Sequence, residues 1–120
     1  MKNFLGQYIL NDVDEVVPCN DTLAWGEFMQ NNKRRIACKD YADYENGQLE
    51  LSTVFLGLDH NHADSGPPIL FETMLFHSEA GPLDDIGMMR YSTLEEAREG
   101  HKIIWLRIQQ KIADKTLRLE

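Results

Sequence analysis

Residues 53–76 read TVFLGLDHNHADSGPPILFETMLF, two apolar segments separated by a polar run. Residues 53–56 and 69–76 are short and rich in β-branched and aromatic side chains, a composition that predicts two buried strands. Pro67 and Pro68 fix their own φ angles and keep the preceding residue extended, so the second strand starts directly after them. Because loops between buried strands are held in place and often carry function, residues 59–64 are the first candidates for a site.

The strand before this loop is predicted to be the second arm of a β-hairpin. Residues 34–39 alternate and precede Asn46-Gly47, which favours a type I′ turn because both central residues of that turn need a positive φ. Beyond the turn, every second residue shares one face of the strand: Leu49, Leu51, Thr53 and Phe55. This alternation predicts a strand with one face against the core.

A long C-terminal helix is predicted from its cap and its periodicity. Either Ser92 with Glu95 or Thr93 with Glu96 forms a capping box at its start. Its apolar residues recur at the spacing of one helical face: Leu94, Ala97, Ile104, Trp105, Ile108 and Ile112.

Smaller elements are predicted before residue 30. Residues 7–10 and 15–18 suit a short hairpin, and Asn20 or Asp21 caps a short helix that follows. Together the elements predict a single α+β domain over residues 1–120. An antiparallel sheet of about five strands packs against the long C-terminal helix and one short helix.

The composition is that of an ordinary globular domain. Of the 120 residues, 42% are hydrophobic and 27% are charged, and no apolar run approaches the roughly 20 residues that span a bilayer. The start of the chain lacks the apolar segment of a secretory signal, so we expect an intracellular protein. Cys19 and Cys38 are then expected to be free thiols, because a reducing compartment keeps them so.

The net charge of −8 is unevenly distributed along the chain. Residues 40–89 contain ten acidic residues and no Lys or Arg, and the densest basic cluster is Lys33-Arg34-Arg35. Direct nucleic-acid binding is not expected, because a phosphate backbone requires a larger basic surface. The acidic middle suits a cation, a basic protein partner or plain solubility.

The polar run at residues 59–64 contains residue types that bind divalent metals. Asp59, His60 and Asp64 are the candidate metal ligands, because carboxylate and imidazole together suit zinc, manganese or iron. Further ligands would have to converge on the loop from elsewhere: Glu72, His77 or His101. The alternative is a solvated turn in which Asp59 and Asn61 accept hydrogen bonds from nearby backbone N–H groups.

Glu72 stands between apolar neighbours on one face of its predicted strand. A carboxylate in such surroundings is paired or protonated. Arg90, in a short strand predicted at residues 88–91, is the expected partner. A structural ion pair, a ligand contact and a catalytic acid or base all remain open for Glu72. His101 falls on the inner stripe of the long helix, where a satisfied core histidine and a ligand contact both remain open.

Several segments of the chain resemble a widespread group of small phage and prophage proteins. They are residues 53–60 (TVFLGLDH), 66–76 (GPPILFETMLF) and 90–93 (RYST), followed by Glu96-Ala97 and Gly100-His101. The likeness covers roughly residues 34–101. It implies a phage or prophage origin and action in the cytoplasm of the bacterial host, and it brings no established activity. The position of His62 is often aromatic in similar chains, which counts against a two-histidine metal site.

These observations predict a non-enzymatic binding protein that antagonises a host defence system. It either covers a basic groove of a host protein with its acidic 40–89 surface or sequesters a nucleotide signal. The residues expected to contact a ligand are Asp59, His60, Glu72, Arg90, Tyr91 and His101. An anionic nucleotide needs cations and aromatic rings, and the sequence offers Arg90, Arg98, Lys102, Tyr91 and Trp105.

Two other functions remain open. One is a metal-dependent hydrolase centred on Asp59, His60 and Asp64, with Glu72 as its acid or base. No cofactor other than this divalent metal is expected. The second is a protein that assembles with itself or with virion parts. The sequence contains no phosphate-binding loop, dinucleotide fingerprint or GxSxG elbow.

Overall fold

A five-stranded antiparallel sheet with a long helix across one face organises the fold. The computed structural model describes residues 5–63 and 65–119, without the side chains of residues 84 and 85. The strands of the large sheet are β3 (Ile36–Tyr44), β4 (Gly47–Phe55), β5 (Phe71–His77), β6 (Gly81–Pro82) and β7 (Met89–Tyr91). A small sheet holds β1 (Tyr8–Leu10) and β2 (Val16–Pro18), and the helices are α1 (Thr22–Met29), α2 (Asn32–Arg35), α3 (Asp84–Gly87) and α4 (Leu94–Ala113). The predicted α+β fold is confirmed.

The hairpin that joins β3 to β4 has the predicted type of turn at a position one residue earlier. Its central residues are Glu45 and Asn46, with φ angles of 49° and 62°, whereas Gly47 is already paired with Tyr44. The prediction that centred the turn on Asn46-Gly47 is therefore wrong. A shift of one residue would turn every β4 side chain to the other face, and core packing does not allow that.

The observed register places the predicted side chains of β4 in the core. Leu49, Leu51, Thr53 and Phe55 are all fully buried, as predicted. The backbone of Gly47 lies close to the His77 ring. A Cβ at this position would be 2.8–2.9 Å from the ring atoms, which is too near for any other residue to fit without a shift. The glycine thus allows the end of β5 to pack against the hairpin.

The basic cluster at residues 33–35 is helical, whereas the sequence predicted a strand from residue 34. Asn31 caps α2 by accepting a hydrogen bond from the Arg34 N–H at 3.3 Å, and β3 begins only at Ile36. The cap supplies a local hydrogen bond that favours a helical turn over an extended chain. The correction matters because it changes where the three cations point.

The N-terminal hairpin and short helix are confirmed, and Asp21 is the residue that caps α1. One backbone group attaches both elements to the large sheet. The carbonyl oxygen of Gly57, which follows β4, accepts hydrogen bonds from the Tyr8 N–H at 2.9 Å and from the Trp25 indole N–H at 3.0 Å.

Helix α4 begins with the capping box of Thr93 and Glu96, which decides between the two predicted boxes. Two groups of core residues lie between α4 and the sheet. The first is centred on Leu49, Leu51, Leu75, Ile104 and Ile108, and the second on Tyr8, Leu10, Phe55, Leu70, Phe71 and Ala97. The N-terminal hairpin therefore contributes to the core at the start of α4.

The segment from Ser78 to Gly87, between β5 and β7, contains β6 and α3. Gly87 packs closely against Leu75, which ties α3 to β5. Among the residues that the structure describes, no helix is both long and apolar enough to cross a bilayer.

Candidate functional site

A cleft between α2, the start of β3 and the start of α4 brings together four cationic side chains: Lys33, Arg34, Arg35 and Arg98. The cavity measures about 140 Å³. Asp14 contributes an acidic side chain, and the remaining lining is apolar: Leu10, Ile36, Ala37, Phe55, Phe71 and Leu94. We call this feature the basic cleft.

Arg34 is held in the basic cleft by three contacts. One of its terminal nitrogens donates to the Asn11 carbonyl at 2.7 Å and to the Asp14 carboxylate at 3.2 Å. Its guanidinium also lies 5.6 Å from the centre of the Phe28 ring, within the range of a cation–π contact. Asp14 sits in the β1–β2 loop with a φ of 61°, and Asn11 orders that loop by accepting from the Glu15 N–H at 2.9 Å.

Arg35 is fixed by backbone groups of the fold itself. Its Nε donates to the Phe55 carbonyl at 3.1 Å and a terminal nitrogen donates to the Met29 carbonyl at 3.4 Å. Burial lowers the pKa of the Arg35 guanidinium below its ordinary value, but an arginine stays charged in proteins. Both partners are neutral carbonyls, so the positive charge of Arg35 is not cancelled by them.

Lys33 and Arg98 complete the cleft from its two sides. Both residues are exposed, and neither takes part in an ion pair among the described residues. Arg98 also lines a second, wider cavity of about 440 Å³, which shares Asp14 and Leu94 with the basic cleft. The other lining residues of this second cavity are Glu15, Val16, Ser92, Thr93 and Glu95. Arg98 thus stands where the two cavities meet.

The polar run after β4 is a hydrogen-bonded turn. Asp59 accepts from the Asn61 N–H at 2.7 Å and from the Ile69 N–H at 3.0 Å, which closes the base of the loop. Asn61 accepts from the Ala63 N–H at 3.0 Å and donates its amide to the Pro67 carbonyl at 2.8 Å. These are the contacts of the solvated-turn alternative.

The metal hypothesis for the same loop is not tested by these contacts. Asp64 lies outside the described residues, and His60 is half-buried in the loop. Within residues 5–63 and 65–119, no group of three or more His, Cys, Asp or Glu side chains is arranged to hold a metal ion. A site at Asp59, His60 and Asp64 stays a prediction.

Glu72 and Arg90 form the predicted ion pair. They are directly opposite each other on β5 and β7, and the Arg90 Nε donates to a Glu72 carboxylate oxygen at 2.8 Å. The Glu72 side chain is 17% exposed and lies among the half-buried residues of β5, whereas the fully buried residues of that strand face α4. The carboxylate is therefore engaged by its neighbour.

His101 belongs to a series of bonded polar side chains that crosses the sheet; its three central members are buried, and its ends, Asp40 and Tyr91, are partly exposed. The His101 Nε2 lies 2.8 Å from the Asp40 carboxylate, and its Nδ1 lies 2.7 Å from the Thr53 hydroxyl. The chain continues from Thr53 to Thr73 at 2.5 Å and from Thr73 to the Tyr91 hydroxyl at 3.1 Å. Each hydroxyl can both donate and accept, so the chain stays bonded in either direction. We call these five residues the buried polar chain.

Gly100 makes room for one end of the buried polar chain. A Cβ at this position would fall on the ring and hydroxyl of Tyr91, so the ring lies directly against the α4 backbone. Burial raises the pKa of the Tyr91 phenol, and the hydrogen bond from Thr73 opposes this rise.

The order Asp40, His101, Thr53 is that of an acid, a base and a hydroxyl nucleophile. Thr53 is 0% exposed and His101 is 3% exposed, so no substrate can reach the hydroxyl in this structure. A catalytic hydroxyl needs a reacting atom within about 3 Å. The chain therefore satisfies polar groups inside the core, and no buried side-chain nitrogen or oxygen of the described residues lacks a partner.

His77 is a second buried histidine with a structural role. Its Nε2 pairs with the Tyr44 carbonyl at 2.7 Å, and its Nδ1 accepts from the backbone N–H groups of Glu79 and Ala80 at 3.2 and 3.1 Å. Both ring nitrogens are occupied by backbone groups. His77 thus orders the turn after β5 and has no free ligand atom to offer the 59–64 loop.

The residues predicted to contact a ligand do not converge on one place. Asp59 and His60 lie in the loop after β4, Glu72 pairs with Arg90 across β5 and β7, and Tyr91 and His101 belong to the buried polar chain. The basic cleft was not predicted as a site, although Lys33-Arg34-Arg35 is the densest basic run in the sequence. Comparison of the chain with protein-family models, with curated proteins and with solved structures finds no match.

Proposed function

We propose that the protein is a non-enzymatic binding protein that holds a small anionic ligand in the basic cleft. The observation that carries this proposal is the position of Lys33, Arg34, Arg35 and Arg98 around one cavity. The chain has a net charge of −8 and no Lys or Arg between residues 40 and 89, so its cations are not spread evenly. Charge-assisted hydrogen bonds from guanidinium groups are the usual means of binding phosphate and carboxylate.

The size of the cleft favours a phosphate group as the part that binds there. A cavity of about 140 Å³ is smaller than the roughly 300–1,000 Å³ of pockets that hold a whole small-molecule ligand. The adjoining cavity of about 440 Å³ shares Arg98 and has space for the rest of the molecule. Phe55, Phe71 and Leu94 supply apolar surface beside the cations. A phosphorylated small molecule such as a nucleotide meets all of these conditions.

The basic cleft favours nucleotide sequestration over the covering of a basic host groove. In this proposal the protein is encoded by a phage or prophage and acts in the cytoplasm of the bacterial host. It lowers the free concentration of a nucleotide signal that a host defence system needs. Sequestration requires only binding, and the Asp40-His101-Thr53 array, which has catalytic residue types, keeps its hydroxyl and imidazole buried in the core.

Isothermal titration calorimetry tests the proposal with inorganic phosphate, pyrophosphate, mononucleotides and cyclic dinucleotides as probes. We expect a saturable heat for at least one probe, and an affinity that falls as salt rises. Arg98→Ala removes one cation from the cleft and should weaken binding about tenfold or more, because a hydrogen bond to a charged group contributes about 1.5–3 kcal/mol.

Arg107→Ala is the matched control, because Arg107 is also an exposed arginine of α4 but does not line the basic cleft. This variant should bind as the unaltered protein does. No saturable heat for any probe at millimolar concentration would refute the proposal. Equal weakening in the Arg98→Ala and Arg107→Ala variants would also refute it, because the effect would then report overall charge and not the cleft.

A further inference from the structure

We propose that two copies of the chain pair through strand β3 and form one continuous antiparallel sheet. Strand β3 is an edge of the large sheet, since within the described residues it pairs with β4 alone. It has nine residues, whereas the strands beside β5 on the opposite side of the sheet have two (β6) and three (β7). A long edge strand presents a row of unpaired backbone groups that can pair with another strand.

The hairpin geometry identifies which residues of β3 point their backbone groups outward. Gln48 uses its carbonyl for the Ser78 N–H and its own N–H for the Ser78 hydroxyl, so the backbone of Gln48 faces β5. Backbone direction alternates along a strand, so Leu49 faces β3 and its partner Ala42 faces β4. The residues of β3 whose N–H and C=O groups face outward are therefore Lys39, Tyr41 and Asp43.

One pairing of these three residues with a second copy is favoured by charge. In an antiparallel pair centred on Tyr41, Tyr41 faces Tyr41 of the partner subunit. Lys39 then faces Asp43 of the partner subunit, and the symmetry repeats this contact. All three positions become hydrogen-bonded pairs, each of which exchanges two N–H···O bonds. Opposite charges directly across a strand pair are stabilising, and like charges are destabilising.

The other registers of β3 against itself lack this match. Centring the pair on Lys39 or on Asp43 sets like charges opposite each other, and centring it on Asp40 sets two carboxylates opposite each other. Centring it on Ala42 leaves Lys39 opposite Glu45, which lies beyond the strand in the turn. Of the registers considered, only the one centred on Tyr41 places Lys39 opposite Asp43 with both residues inside the strand.

Two further observations fit this interface. Tyr41 is 51% exposed, a large side chain that the second copy would cover. Lys39 also bonds Glu50 of the neighbouring strand at 3.1 Å, so its ammonium is already held on the same face of the sheet as Tyr41. The resulting sheet has ten strands, five from each copy. Both α4 helices then lie on the same side of it, because the two-fold axis is perpendicular to the sheet.

Sedimentation velocity over a range of protein concentrations tests the pairing. We expect a reversible dimer of the full chain. Lys39→Asp and Asp43→Lys each replace two attractive contacts by repulsive ones and should raise the dissociation constant about tenfold or more. An equimolar mixture of these two variants restores opposite charges at every contact and should form a heterodimer. The double variant Lys39→Asp with Asp43→Lys should dimerise again.

Lys102→Asp is the control, because it makes the same charge change at an exposed position of α4 and should leave the dimer intact. A monomer at all concentrations up to the millimolar range would overturn the proposal. So would a dimer that survives both single charge reversals, because the interface would then lie elsewhere. If Lys39→Asp fails to fold, Tyr41→Pro is the alternative test of the interface. Of the backbone hydrogen-bonding groups it removes only an outward N–H, which edge strands tolerate. Together with the loss of the Tyr41 side chain, this should abolish the dimer.

Discussion

Replacing Thr53 by valine tests whether the buried polar chain stabilises the fold. Valine has nearly the shape of threonine, so Thr53→Val removes a hydroxyl from a fully buried position without leaving a cavity. Thr73 keeps the Tyr91 hydroxyl as a partner at 3.1 Å. The Nδ1 of His101 loses the Thr53 hydroxyl at 2.7 Å and cannot reach water, because His101 is 3% exposed.

The expected loss of stability follows from the one atom left without a partner, the Nδ1 of His101. Leaving one buried polar atom without a partner costs about 1–3 kcal/mol, so the free energy of unfolding should fall by that amount. Urea denaturation followed by circular dichroism measures it, with an unchanged m-value to show that the unfolding transition is comparable. Thr116→Val, at an exposed position after α4, should change the free energy of unfolding by less than about 0.5 kcal/mol.

A double-mutant cycle with His101→Leu separates the effect of the Thr53–His101 hydrogen bond on stability from the effect of packing. If Thr53 acts through His101, the loss caused by Thr53→Val should be smaller when His101 is already replaced, because no imidazole nitrogen is then left unpaired. A Thr53→Val protein as stable as the unaltered one would refute the reasoning. Equal losses in the presence and absence of His101 would show that the hydroxyl does not act through the imidazole.

Three further predictions concern Gly100, Gly26 and Tyr91. Gly100→Ala should destabilise the protein by about 1–3 kcal/mol in the same denaturation assay, because a Cβ there displaces the Tyr91 ring. Gly26→Ala in α1 should instead stabilise it by up to about 1 kcal/mol, because a Cβ at Gly26 meets no atom within 4 Å; a loss of stability there would contradict the prediction. Burial raises the pKa of Tyr91, so its contribution to stability is complete below its unfolded-state pKa of about 10 and is lost as pH rises through the higher folded-state value. Absorbance at 295 nm should show a late-titrating phenol that disappears in Tyr91→Phe, and an unchanged titration in that variant would sink the assignment.

The parts of the fold predicted correctly are those that depend on short stretches of sequence. The α4 stripe and its capping box need only residues within a few turns of each other, and the pairing of Glu72 with Arg90 needs only two adjacent strands. The turn after β3 was misplaced by one residue because Asn46-Gly47 satisfies the local rule better than Glu45-Asn46 does. The core contacts of Leu49 and Leu51 decide between these two turns, and they come from distant parts of the chain.

The buried polar chain and the basic cleft could not be predicted from the sequence, because both join residues that are far apart along it. His101 bonds residues 48 and 61 positions earlier, so no local pattern connects it with Thr53 or Asp40. Isolated threonines inside apolar strands are the signal that was available for Thr53 and Thr73. For the cleft, the strand predicted from residue 34 assigned Arg34 and Arg35 to alternate faces, whereas the turn of α2 and distant Arg98 place them around one cavity.

The carbonyl oxygen of Gly57 is one of the contacts that hold one wall of the basic cleft to the large sheet. The wall that carries Arg34 and Arg35 belongs to the segment that this oxygen fastens to the sheet through Tyr8 and Trp25, whereas Arg98 belongs to α4. Detachment of the N-terminal segment would also have to break the bond from Arg35 to the Phe55 carbonyl and the core packing of Tyr8 and Leu10. A ligand that bridges Arg34 and Arg98 would oppose this detachment and therefore slow amide exchange at Tyr8 more than in the centre of β4.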